Sequence, residues 1–216
     1  MSKIRGFADT IDWYEQNAVA YATSIQDKSN PLLIEEFAQA VKNSDLGLEV
    51  LDAGCAAGRD SKLLSEQGLL VTGIDLAKNL VALARENNPQ LNFVVGSFLD
   101  LPFADNAFAG VWAHASLLHL EKIEQVTQAL AEFKRALVPG GILHLYLKQR
   151  AGVEETSVVV DSVSKHERFF RWFTKEEVGD LLLEQGFKIL ELKDDLSDQA
   201  GRSEVKWIYA LAQKPL

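Results

Sequence analysis

Hydrophobic positions along this chain fall into short unbroken runs that alternate with longer segments of helical periodicity. The runs predict five strands, at Leu48–Asp52, Leu69–Ile74, Leu91–Val95, Phe108–Trp112 and Ile142–Lys148. The segments between them predict helices, at about Arg59–Gln67, Ala77–Glu86 and Glu121–Leu137. Because the strand residues are apolar on both faces, helices should cover both sides of the sheet. The pattern therefore predicts an α/β three-layer sandwich built on a mostly parallel sheet.

The C-terminal part of the chain shows a different pattern. Thr174 and Glu177 have the spacing of a capping box, and Gly186 occupies the position of a helix C-cap glycine. Two extended segments follow, at Phe187–Leu192 and Glu204–Ala212, and the loop between them is too short for a helical crossover. We therefore expect these two segments to pair as an antiparallel hairpin at the end of the parallel sheet.

Two further helical patterns precede the first predicted strand. One covers Ile11–Ala22, and the other follows Asn30 and Pro31, a good N-cap and first-turn pair. Residues 149–173 show no clean period, and we expect an ordered excursion or lid there. The 216 residues fit one domain. Its predicted parts are N-terminal helices that cap a site (1–46), a central core (47–148), the excursion (149–173), and a C-terminal helix with a β-hairpin (174–216).

Composition and charge narrow the classes of function. The chain is 47% hydrophobic and 25% charged, as ordinary globular proteins are, and its formal net charge is −9. An acidic balance argues against broad contact with nucleic acid or an anionic membrane, so we expect neither partner. No apolar leader or bilayer-spanning run is evident, and a single cysteine forms neither an internal disulfide nor a cysteine-based zinc site. We expect a cytoplasmic monomer or homodimer without a bound metal.

The strongest chemical signal is a loop of small residues between the first predicted strand and the first core helix. The strand ends at Asp52, the loop runs to Gly58, and the helix begins near Arg59. Small residues allow a ligand to approach the backbone, and the helix N-terminus offers free amide donors. Asp75 ends the next strand, where a carboxylate can accept hydrogen bonds from the hydroxyls of a ribose. The alternative role for Asp75 is to cap the helix that follows it.

The spacing of the glycines argues against a dinucleotide. In the frame G-x-G-x-x-G, counted from Gly54, the second position holds Ala56 and the third holds Arg59. A methyl group would crowd a pyrophosphate there, so an oxidoreductase that uses a nicotinamide nucleotide is the less favoured alternative. The frame acid-x-G-x-G-x-G is met by Asp52, Gly54 and Gly58, with Ala56 as the one departure. These residues suit a nucleoside with a small attached group.

Four segments, in this order, resemble the class I S-adenosylmethionine-dependent methyltransferases. Asp52–Gly58 is similar to their first motif, and Asp75 falls on their ribose-binding acid. Gly96–Phe103 resembles the segment that edges the adenine, and Val138–Gly141 resembles the turn before the fifth strand. The resemblance implies a Rossmann-like fold with strand order 3-2-1-4-5-7-6 and an antiparallel C-terminal strand. It also implies S-adenosylmethionine as the cofactor, held by the central core, and S-adenosylhomocysteine as the product.

A narrower resemblance is to small bacterial methyltransferases whose substrates are mostly unassigned. It is carried by Tyr14–Tyr21, Trp112–His119 and Arg168–Phe170. Two residues depart from the wider family pattern. Ala56 replaces the usual middle glycine, and Ser97 replaces the aspartate that in many relatives holds the adenine amino group. Both departures leave the affinity for the cofactor open.

The resemblance implies a set of cofactor contacts. These are Asp52, Ala53, Gly54, Cys55, Gly58, Arg59, Asp75, Leu76, Leu80, Ser97, Phe98, Ala113 and Ser116. In this set the first loop faces the methionine part and Arg59 is a candidate partner for its carboxylate. Asp75 takes the ribose, while Leu76 and Leu80 flank the adenine. We interpret Cys55 as a small packing group, since no paired base marks it as a nucleophile.

Four residues are candidates for contact with the methyl acceptor. His114 and His119 follow the fourth predicted strand, at the end where open α/β sheets bind ligands, and either could remove a proton. Each could instead cap or pack against the following helix. Tyr14 and Tyr21 lie two helical turns apart and could close over the site, or could simply bury the apolar face of their helix. His144 lies inside the fifth strand, where a structural role is favoured.

An aromatic cluster in the excursion has two interpretations. It comprises Phe169, Phe170, Trp172 and Phe173, beside Arg168 and Arg171. The cluster could line an acceptor pocket or seal the edge of the core, and the core is favoured. From all of this we predict a methyltransferase that modifies a small molecule. The alternatives are a protein methyltransferase and a protein that binds the cofactor or its product without turnover.

Overall fold

The computed structural model describes residues 6–160, 166–198 and 205–216. Its helices are α1 (Phe7–Gln16), α2 (Ala18–Ile25), α3 (Pro31–Asn43), α4 (Arg59–Glu66), α5 (Lys78–Asn87), α6 (Ile123–Ala136) and α7 (Lys175–Glu184). Its strands are β1 (Glu49–Ala53), β2 (Leu70–Asp75), β3 (Asn92–Val95), β4 (Phe108–His114), β5 (Leu137–Lys148), β6 (Thr156–Val160), β7 (Glu167–Arg171), β8 (Lys188–Ser197) and β9 (Lys206–Gln213). No helix within these ranges is both long enough and apolar enough to cross a membrane.

Seven of the strands form one sheet in the order β3-β2-β1-β4-β5-β9-β8. The first five strands of this order are parallel, and β9 runs antiparallel to both of its neighbours. Strands β6 and β7 pair separately, as an antiparallel hairpin. When the strands of the main sheet are numbered among themselves, their order is 3-2-1-4-5-7-6. This order and the antiparallel C-terminal strand confirm the predicted Rossmann-like fold.

The centre of the sheet is buried on both faces. Every residue of β4 up to Ala113 is buried, and β5 is almost entirely buried. Trp112 and Phe37 are fully buried, and their rings pack 5.3 Å apart between β4 and α3. Gly110 is required here, because a Cβ at this position would lie 2.7 Å from the Phe37 ring. The unbroken apolar runs of the sequence thus mark strands that lie between two layers of helices.

The N-terminal helical pattern is interrupted, contrary to the prediction of one helix over Ile11–Ala22. The backbone leaves the helical region at Asn17, with φ −119° and ψ 23°. The side-chain amide of Asn17 donates to the Trp13 carbonyl oxygen at 2.9 Å, which ends α1. An Asn side chain competes with the backbone for such hydrogen bonds, so the helix breaks and restarts as α2. The second N-terminal prediction is confirmed, since Asn30 caps α3 by accepting from the Leu33 amide.

The excursion at residues 149–173 contains the β6–β7 hairpin. Strand β7 packs against α1 and against the 3₁₀ turn Leu117–His119 that follows β4. The Phe169 amide donates to the Thr10 hydroxyl at 3.2 Å, which joins β7 to α1. The expected C-terminal hairpin is present as β8 and β9, although Glu204 lies outside the described residues. Strand β8 also continues past Leu192, where the prediction ended it, to Ser197.

Candidate active site

The loop after β1 is shaped by two glycines with positive φ. Gly54 has φ +88°, and a Cβ there would lie 2.4 Å from the Cβ of Ser116. Gly58 has φ +79° and starts α4, where a Cβ would lie 2.9 Å from the Phe93 ring. Only glycine tolerates both the backbone conformation and the close contact. The two glycines of the acid-x-G-x-G-x-G frame are therefore explained by their backbone conformation and by the close approach of Ser116 and Phe93.

Asp75 ties this loop to the end of β2. Its Oδ2 accepts from the Ala56 amide at 2.9 Å, and its Oδ1 accepts from the Ala77 amide at 2.9 Å. Ala56 has φ +48°, the left-handed conformation that a glycine would adopt with less strain. Burial raises the pKa of the Asp75 carboxyl, against the lowering effect of these amides. Asp75 does not cap α5, whose N-cap is Ala77 without a side-chain hydrogen bond; it shapes the turn before that helix and keeps acceptor lone pairs for a ligand.

Asp52 is buried at the end of β1 and accepts from the Ser61 hydroxyl at 2.6 Å. Burial, with a contribution from the nearby Asp60, raises the pKa of Asp52 to about 8. Arg59 donates to Asp60 at 2.7 Å and to the Ile25 carbonyl oxygen at 3.0 Å. Burial alone would raise the pKa of Asp60, but Arg59 and His114 lower it below its usual value. Arg59 therefore already has a carboxylate partner and also joins α4 to the end of α2.

Two cavities lie at the carboxyl end of the sheet. The larger, of about 160 Å³, is lined by Tyr14, Tyr21, Ile25, Lys28, Asp52, Gly54, Cys55, Ala56, Arg59, Asp60, His114, Ala115, Leu118, His119, Tyr146, Lys148, Arg168, Phe170, Asp198 and Trp207. The smaller, of about 70 Å³, is lined by Phe7, Ile11, Tyr14, Tyr21, Gly54, Ala56, Asp75, Leu76, Leu80, Gly96, Ser97, Phe98, Leu99, Ala115, Ser116 and His119. Their common wall is formed by Tyr14, Tyr21, Gly54, Ala56, Ala115 and His119.

Ten of the thirteen predicted cofactor contacts line one cavity or the other. The smaller cavity has Gly54, Asp75, Leu76, Leu80, Ser97, Phe98 and Ser116, and the larger has Asp52, Gly54, Cys55 and Arg59. Ala53, Gly58 and Ala113 line neither, because the first and last are buried within strands and Gly58 packs against Phe93. The Ser116 hydroxyl is buried and has no hydrogen-bond partner among the described residues. That oxygen is a candidate contact for a polar ligand in the smaller cavity.

Two smaller observations, on Cys55 and Ser97, bear on this predicted set. Cys55 is buried, and burial raises the pKa of its thiol well above the usual value. A neutral buried thiol is unreactive, which favours the packing interpretation. The Ser97 hydroxyl accepts from the Leu99 amide at 3.1 Å and so shapes the turn after β3.

A directed chain of hydrogen bonds crosses the common wall of the cavities. The Nδ1 of His119 lies 2.9 Å from the Phe169 carbonyl oxygen, to which only an N–H can donate. The Nε2 of His119 is then an acceptor, and it lies 3.0 Å from the Tyr14 hydroxyl. Arg168 Nη1 donates to that hydroxyl in turn, at 2.5 Å. Tyr14 and His119, two of the predicted acceptor contacts, are thus brought together by residues that are far apart in the sequence.

His114 is the last residue of β4, whereas the sequence placed it beyond the strand. Its Nδ1 lies 3.1 Å from Nε2 of the buried His144, whose Nδ1 has no partner among the described residues. An unpaired buried acceptor costs less than an unpaired buried N–H, so His144 donates to His114. Burial lowers the pKa of His114 to about 4. His114 therefore presents an N–H donor to the larger cavity at neutral pH, and this state does not suit a general base.

The far side of the larger cavity was largely missed by sequence reasoning. Lys148 and Tyr146 lie at the end of β5, and Trp207 of β9 pairs with Lys148. Arg168 and Phe170 line the cavity from β7, whereas Phe169 and Phe173 are buried in the core. The aromatic cluster therefore has both of the roles considered for it. The sequence did contain one signal for this face of the cavity. Arg168 and Phe170 are two residues apart, and on a strand such residues have their side chains on the same face.

Comparison with known proteins gives matches along most of the chain. The model of the methyltransferase domain family matches residues 51–145. The O-methyltransferase rstn1 of Aspergillus nomiae is 31% identical over 173 residues, which cover 73% of this chain and 71% of that protein. The 24-methylenesterol C-methyltransferase 2 of Arabidopsis thaliana is 27% identical, over 89% of this chain and 56% of its own length. This chain thus spans just over half of that longer relative.

Solved structures show the same fold at lower identity. The 1,6-didemethyltoxoflavin-N1-methyltransferase of Burkholderia thailandensis, solved with 1,6-didemethyltoxoflavin and S-adenosylhomocysteine, has a TM-score of 0.69 and 21% identity. The match covers 100% of this chain and 93% of that one. The [4+2]-cyclase SpnF has a TM-score of 0.75 and 19% identity, over 98% of each chain. The fold is thus shared with a methyltransferase and with a cyclase.

Proposed function

We propose, from the premise that this chain belongs to the class I S-adenosylmethionine-dependent methyltransferases, that it methylates a small organic acceptor at the common wall of its two cavities. The proposal is carried by one observation, namely that the two cavities adjoin and share this wall. One cavity contains the residues suited to a nucleoside, and the other contains the polar and aromatic groups of the acceptor side. A methyl group has to pass from one compartment to the other where they meet.

The residues of the smaller cavity fit the adenosine part of the cofactor. Asp75 would accept from the ribose hydroxyls, and Leu76 and Leu80 would flank the adenine. The buried Ser116 hydroxyl would gain the hydrogen bond that the described residues do not give it. Asp52, at the larger cavity, would face the ammonium group of the methionine part, since a nearby cation favours an ionised carboxylate. S-adenosylmethionine supplies the methyl group as an electrophile on a cationic sulfur.

The protein's own contribution to the reaction is alignment and the handling of one proton. Where the acceptor is a hydroxyl, the Tyr14 oxygen would take its proton while the phenolic proton passes to His119 Nε2. Arg168 would stabilise negative charge on the Tyr14 oxygen, because it already donates to it. The Phe169 carbonyl oxygen holds the imidazole in the tautomer that this transfer needs. Tyr21, on the same wall, would exclude water and narrow the passage between the cavities.

A small acceptor is favoured by the way the larger cavity is bounded. Helices α1 and α2 and strand β7 contribute Tyr14, Tyr21 and Arg168 to its walls. The matched O-methyltransferase rstn1 and the 1,6-didemethyltoxoflavin-N1-methyltransferase carry activity names of the methyl-transfer class. The second of these is solved with a small heterocycle bound. Two of these walls, α1 and β7, are joined by hydrogen bonds, which limits the room for a chain such as a peptide between them.

The first test is calorimetric titration of the protein with S-adenosylmethionine, S-adenosylhomocysteine and NADH, run side by side. We expect the first two to bind and NADH not to bind. Binding of NADH alone, or of none of the three, would contradict the proposal. A screen of small acceptors by mass spectrometry then tests turnover, with a peptide library as the competing arm. Binding without transfer to any acceptor would instead support a protein that holds the cofactor without using it.

The ribose assignment needs a variant that spares the loop. Because Asp75 accepts from the Ala56 and Ala77 amides, Asp75→Ala would remove both hydrogen bonds together with any ligand contact. Asp75→Asn keeps one acceptor oxygen, so it retains one of the two amide hydrogen bonds and loses the other. We expect it to lower the melting temperature by roughly a few degrees while the protein stays folded, and to weaken S-adenosylhomocysteine binding at least about tenfold. Unchanged affinity would remove Asp75 from the site.

A further inference from the structure

His114 lies in a layer of aromatic rings on one face of the sheet. Its ring is nearly parallel to those of Trp112 and Tyr146, with centroids 5.0 Å and 4.4 Å away and interplanar angles of 2° and 9°. Its Nδ1 lies 3.1 Å from Nε2 of His144. Rotation of the imidazole about its Cβ–Cγ bond would break this hydrogen bond and both ring contacts. The orientation of His114 at the end of β4 is therefore fixed before a ligand binds.

The direction of the hydrogen bond between the two histidines determines which nitrogen of His114 carries its proton. His144 is fully buried, and its ring packs against those of Trp112 and Tyr209. Its Nδ1 has no hydrogen-bond partner within the described ranges. A proton on that nitrogen would be an unpaired buried donor, so the proton of His144 lies on Nε2 and is donated to His114 Nδ1. Because burial keeps His114 uncharged at neutral pH by lowering its pKa, its own proton lies on Nε2.

The Nε2–H of His114 is available to a ligand. In the part of the chain that the structure describes, no residue accepts from it. Asp60 is close enough to affect the pKa of His114, but its two oxygens already accept from Arg59 at 2.7 Å and from the Trp112 indole at 3.3 Å. His114 is partly exposed and lines the larger cavity. The sheet thus presents a fixed, uncharged donor to this cavity.

A fixed donor at a binding cavity selects for ligands that accept a hydrogen bond from it. A hydrocarbon group placed over Nε2–H would remove water from the donor and leave it unpaired, which weakens binding. A site of this kind rejects an analogue without the acceptor atom more strongly than an apolar pocket rejects a change of size. The charged groups that act on His114, Asp60 and Arg59, are paired with each other. An uncharged carbonyl oxygen therefore fits this position better than a further charged group.

We propose that His114 is a specificity-determining residue and that the methyl acceptor is a small carbonyl compound whose oxygen accepts from His114 Nε2. This inference rests on the proposed function, because it names the substrate class of that site. His144 is then a positioning residue, since it acts on the acceptor only through the tautomer of His114. Tyr14 lines the same cavity, so the carbonyl oxygen and the atom that receives the methyl group would be held by two separate contacts.

The experiment uses two probes of the same shape, acetophenone and α-methylstyrene, which differ in a C=O against a C=CH2 group. The full-length protein is saturated with S-adenosylhomocysteine, whose affinity is measured first for each variant, and is then titrated with each probe. The ratio of the two affinities is compared between the unmodified protein and His114→Phe, which keeps a planar ring and removes the N–H. We expect the ratio to shift away from acetophenone by about fivefold or more in the variant, as the loss of one uncharged hydrogen bond requires.

The matched control is His166→Phe. His166 is exposed, packs 5.1 Å from the Trp13 ring and lines neither cavity, so this variant should leave the ratio unchanged. A second measurement reads the tautomer directly, by long-range proton–nitrogen NMR correlation on protein with labelled histidine. The chain has four histidines, and His114→Phe identifies the signals of His114 by their loss. We expect His114 to be uncharged at pH 7 with its proton on Nε2, and acetophenone to shift that nitrogen signal.

Three results would each overturn the inference. They are an affinity ratio that His114→Phe leaves unchanged, no binding of acetophenone at about 10 mM, and a His114 that is charged or carries its proton on Nδ1. Where S-adenosylhomocysteine binds normally in those cases, the proposed function stands. Failure of S-adenosylhomocysteine to bind would overturn the proposed function, and this inference with it. If His114→Phe does not fold, the tautomer and the response of the nitrogen signals to acetophenone in the unmodified protein still decide the outcome.

Discussion

The two cavities are built in different ways. Half of the lining of the smaller one comes from three short segments at the ends of β1, β2 and β3, and Asp75 connects the first two through the Ala56 and Ala77 amides. The proposed acceptor side of the larger one comes from α1, β5, β7 and β9, which lie far apart in the chain. The hydrogen bond from Arg168 to Tyr14, for example, joins residues 154 positions apart.

This difference has a consequence for how each cavity tolerates change. The smaller cavity depends on backbone conformation and close packing, so a single added methyl group can disrupt it. The acceptor side depends on side chains that project from rigid strands, so its chemistry can be altered while the sheet is kept. We expect substitutions at the first to affect folding and cofactor binding together, and substitutions at the second to affect turnover or selectivity.

The largest expected effect is that of Gly54→Ala in the smaller cavity. The new Cβ would lie 2.4 Å from Ser116 at a φ of +88°, so strain and overpacking add. We expect the free energy of unfolding to fall by about 2–5 kcal/mol and cofactor binding to be lost, as measured by urea denaturation and calorimetry. Gly68→Ala is the matched control, because Gly68 has φ +83° with no atom within 4 Å of its Cβ position. Equal effects of both variants would contradict the role given to the Ser116 contact.

The next largest effect is expected from a substitution that changes the proposed acceptor side and leaves the smaller cavity intact. Tyr14→Phe removes the hydroxyl that links Arg168 to His119. With a hydroxyl acceptor found by the screen, we expect kcat to fall about 100-fold and the affinity for S-adenosylhomocysteine to change by less than about threefold. Because Tyr14 and His119 would act as one unit, the double variant with His119→Gln should be no slower than the slower single variant. Additive losses would argue that the two residues act separately.

A series of stability measurements at different pH values tests the raised pKa of Asp52, which lies at the end of β1 and lines the larger cavity. Its carboxyl has a pKa of about 8 in the folded protein, above the ordinary value of 3.8, so folding favours the protonated form. The stability it contributes is complete below pH 3.8 and is lost as the pH rises towards 8. Without cofactor, we expect the free energy of unfolding to fall by a few kcal/mol between pH 5 and pH 8, and Asp52→Asn to flatten this slope.

A comparison with Asp60 sharpens the pH test. Its pKa is lowered overall, because Arg59 and His114 outweigh the effect of burial. The stability from Asp60 is therefore present above its ordinary pKa and is lost as the pH falls. Asp60→Asn should destabilise the protein at pH 8, where Asp52→Asn should stabilise it. The same sign for both variants at pH 8 would contradict the electrostatic description of this end of β1.

The smallest effect concerns the alanine that replaces the usual glycine. Ala56→Gly relieves a φ of +48° but adds flexibility to the unfolded chain, so we expect stability to change by less than about 1 kcal/mol. Removal of the methyl group from the common wall should tighten S-adenosylhomocysteine binding by about threefold. Weaker binding in the variant would show that the methyl group contributes a favourable contact.

The sequence by itself determined the sheet and the loop for which we propose cofactor binding. Apolar runs gave the strands, because residues buried on both faces of a sheet have no reason to alternate in polarity. The spacing of Asp52, Gly54, Gly58 and Asp75 gave the loop, because its geometry depends on residues that are near one another in the chain. The break at Asn17 was missed, since one side-chain hydrogen bond decides it against a continuous helical pattern.

Only the tertiary structure decided which residues meet at the proposed acceptor side. Nothing in the periodicity of Arg168, Lys148 or Tyr14 indicates that they meet, and the β6–β7 hairpin that carries Arg168 had no clean pattern. The structure also distinguished the hydrogen-bonding roles of the two histidines. The neighbours of His114 leave it a donor, whereas those of His119 leave its Nε2 an acceptor. Local geometry can be derived from neighbouring residues, whereas hydrogen-bond direction and cavity charge depend on which distant segments pack together.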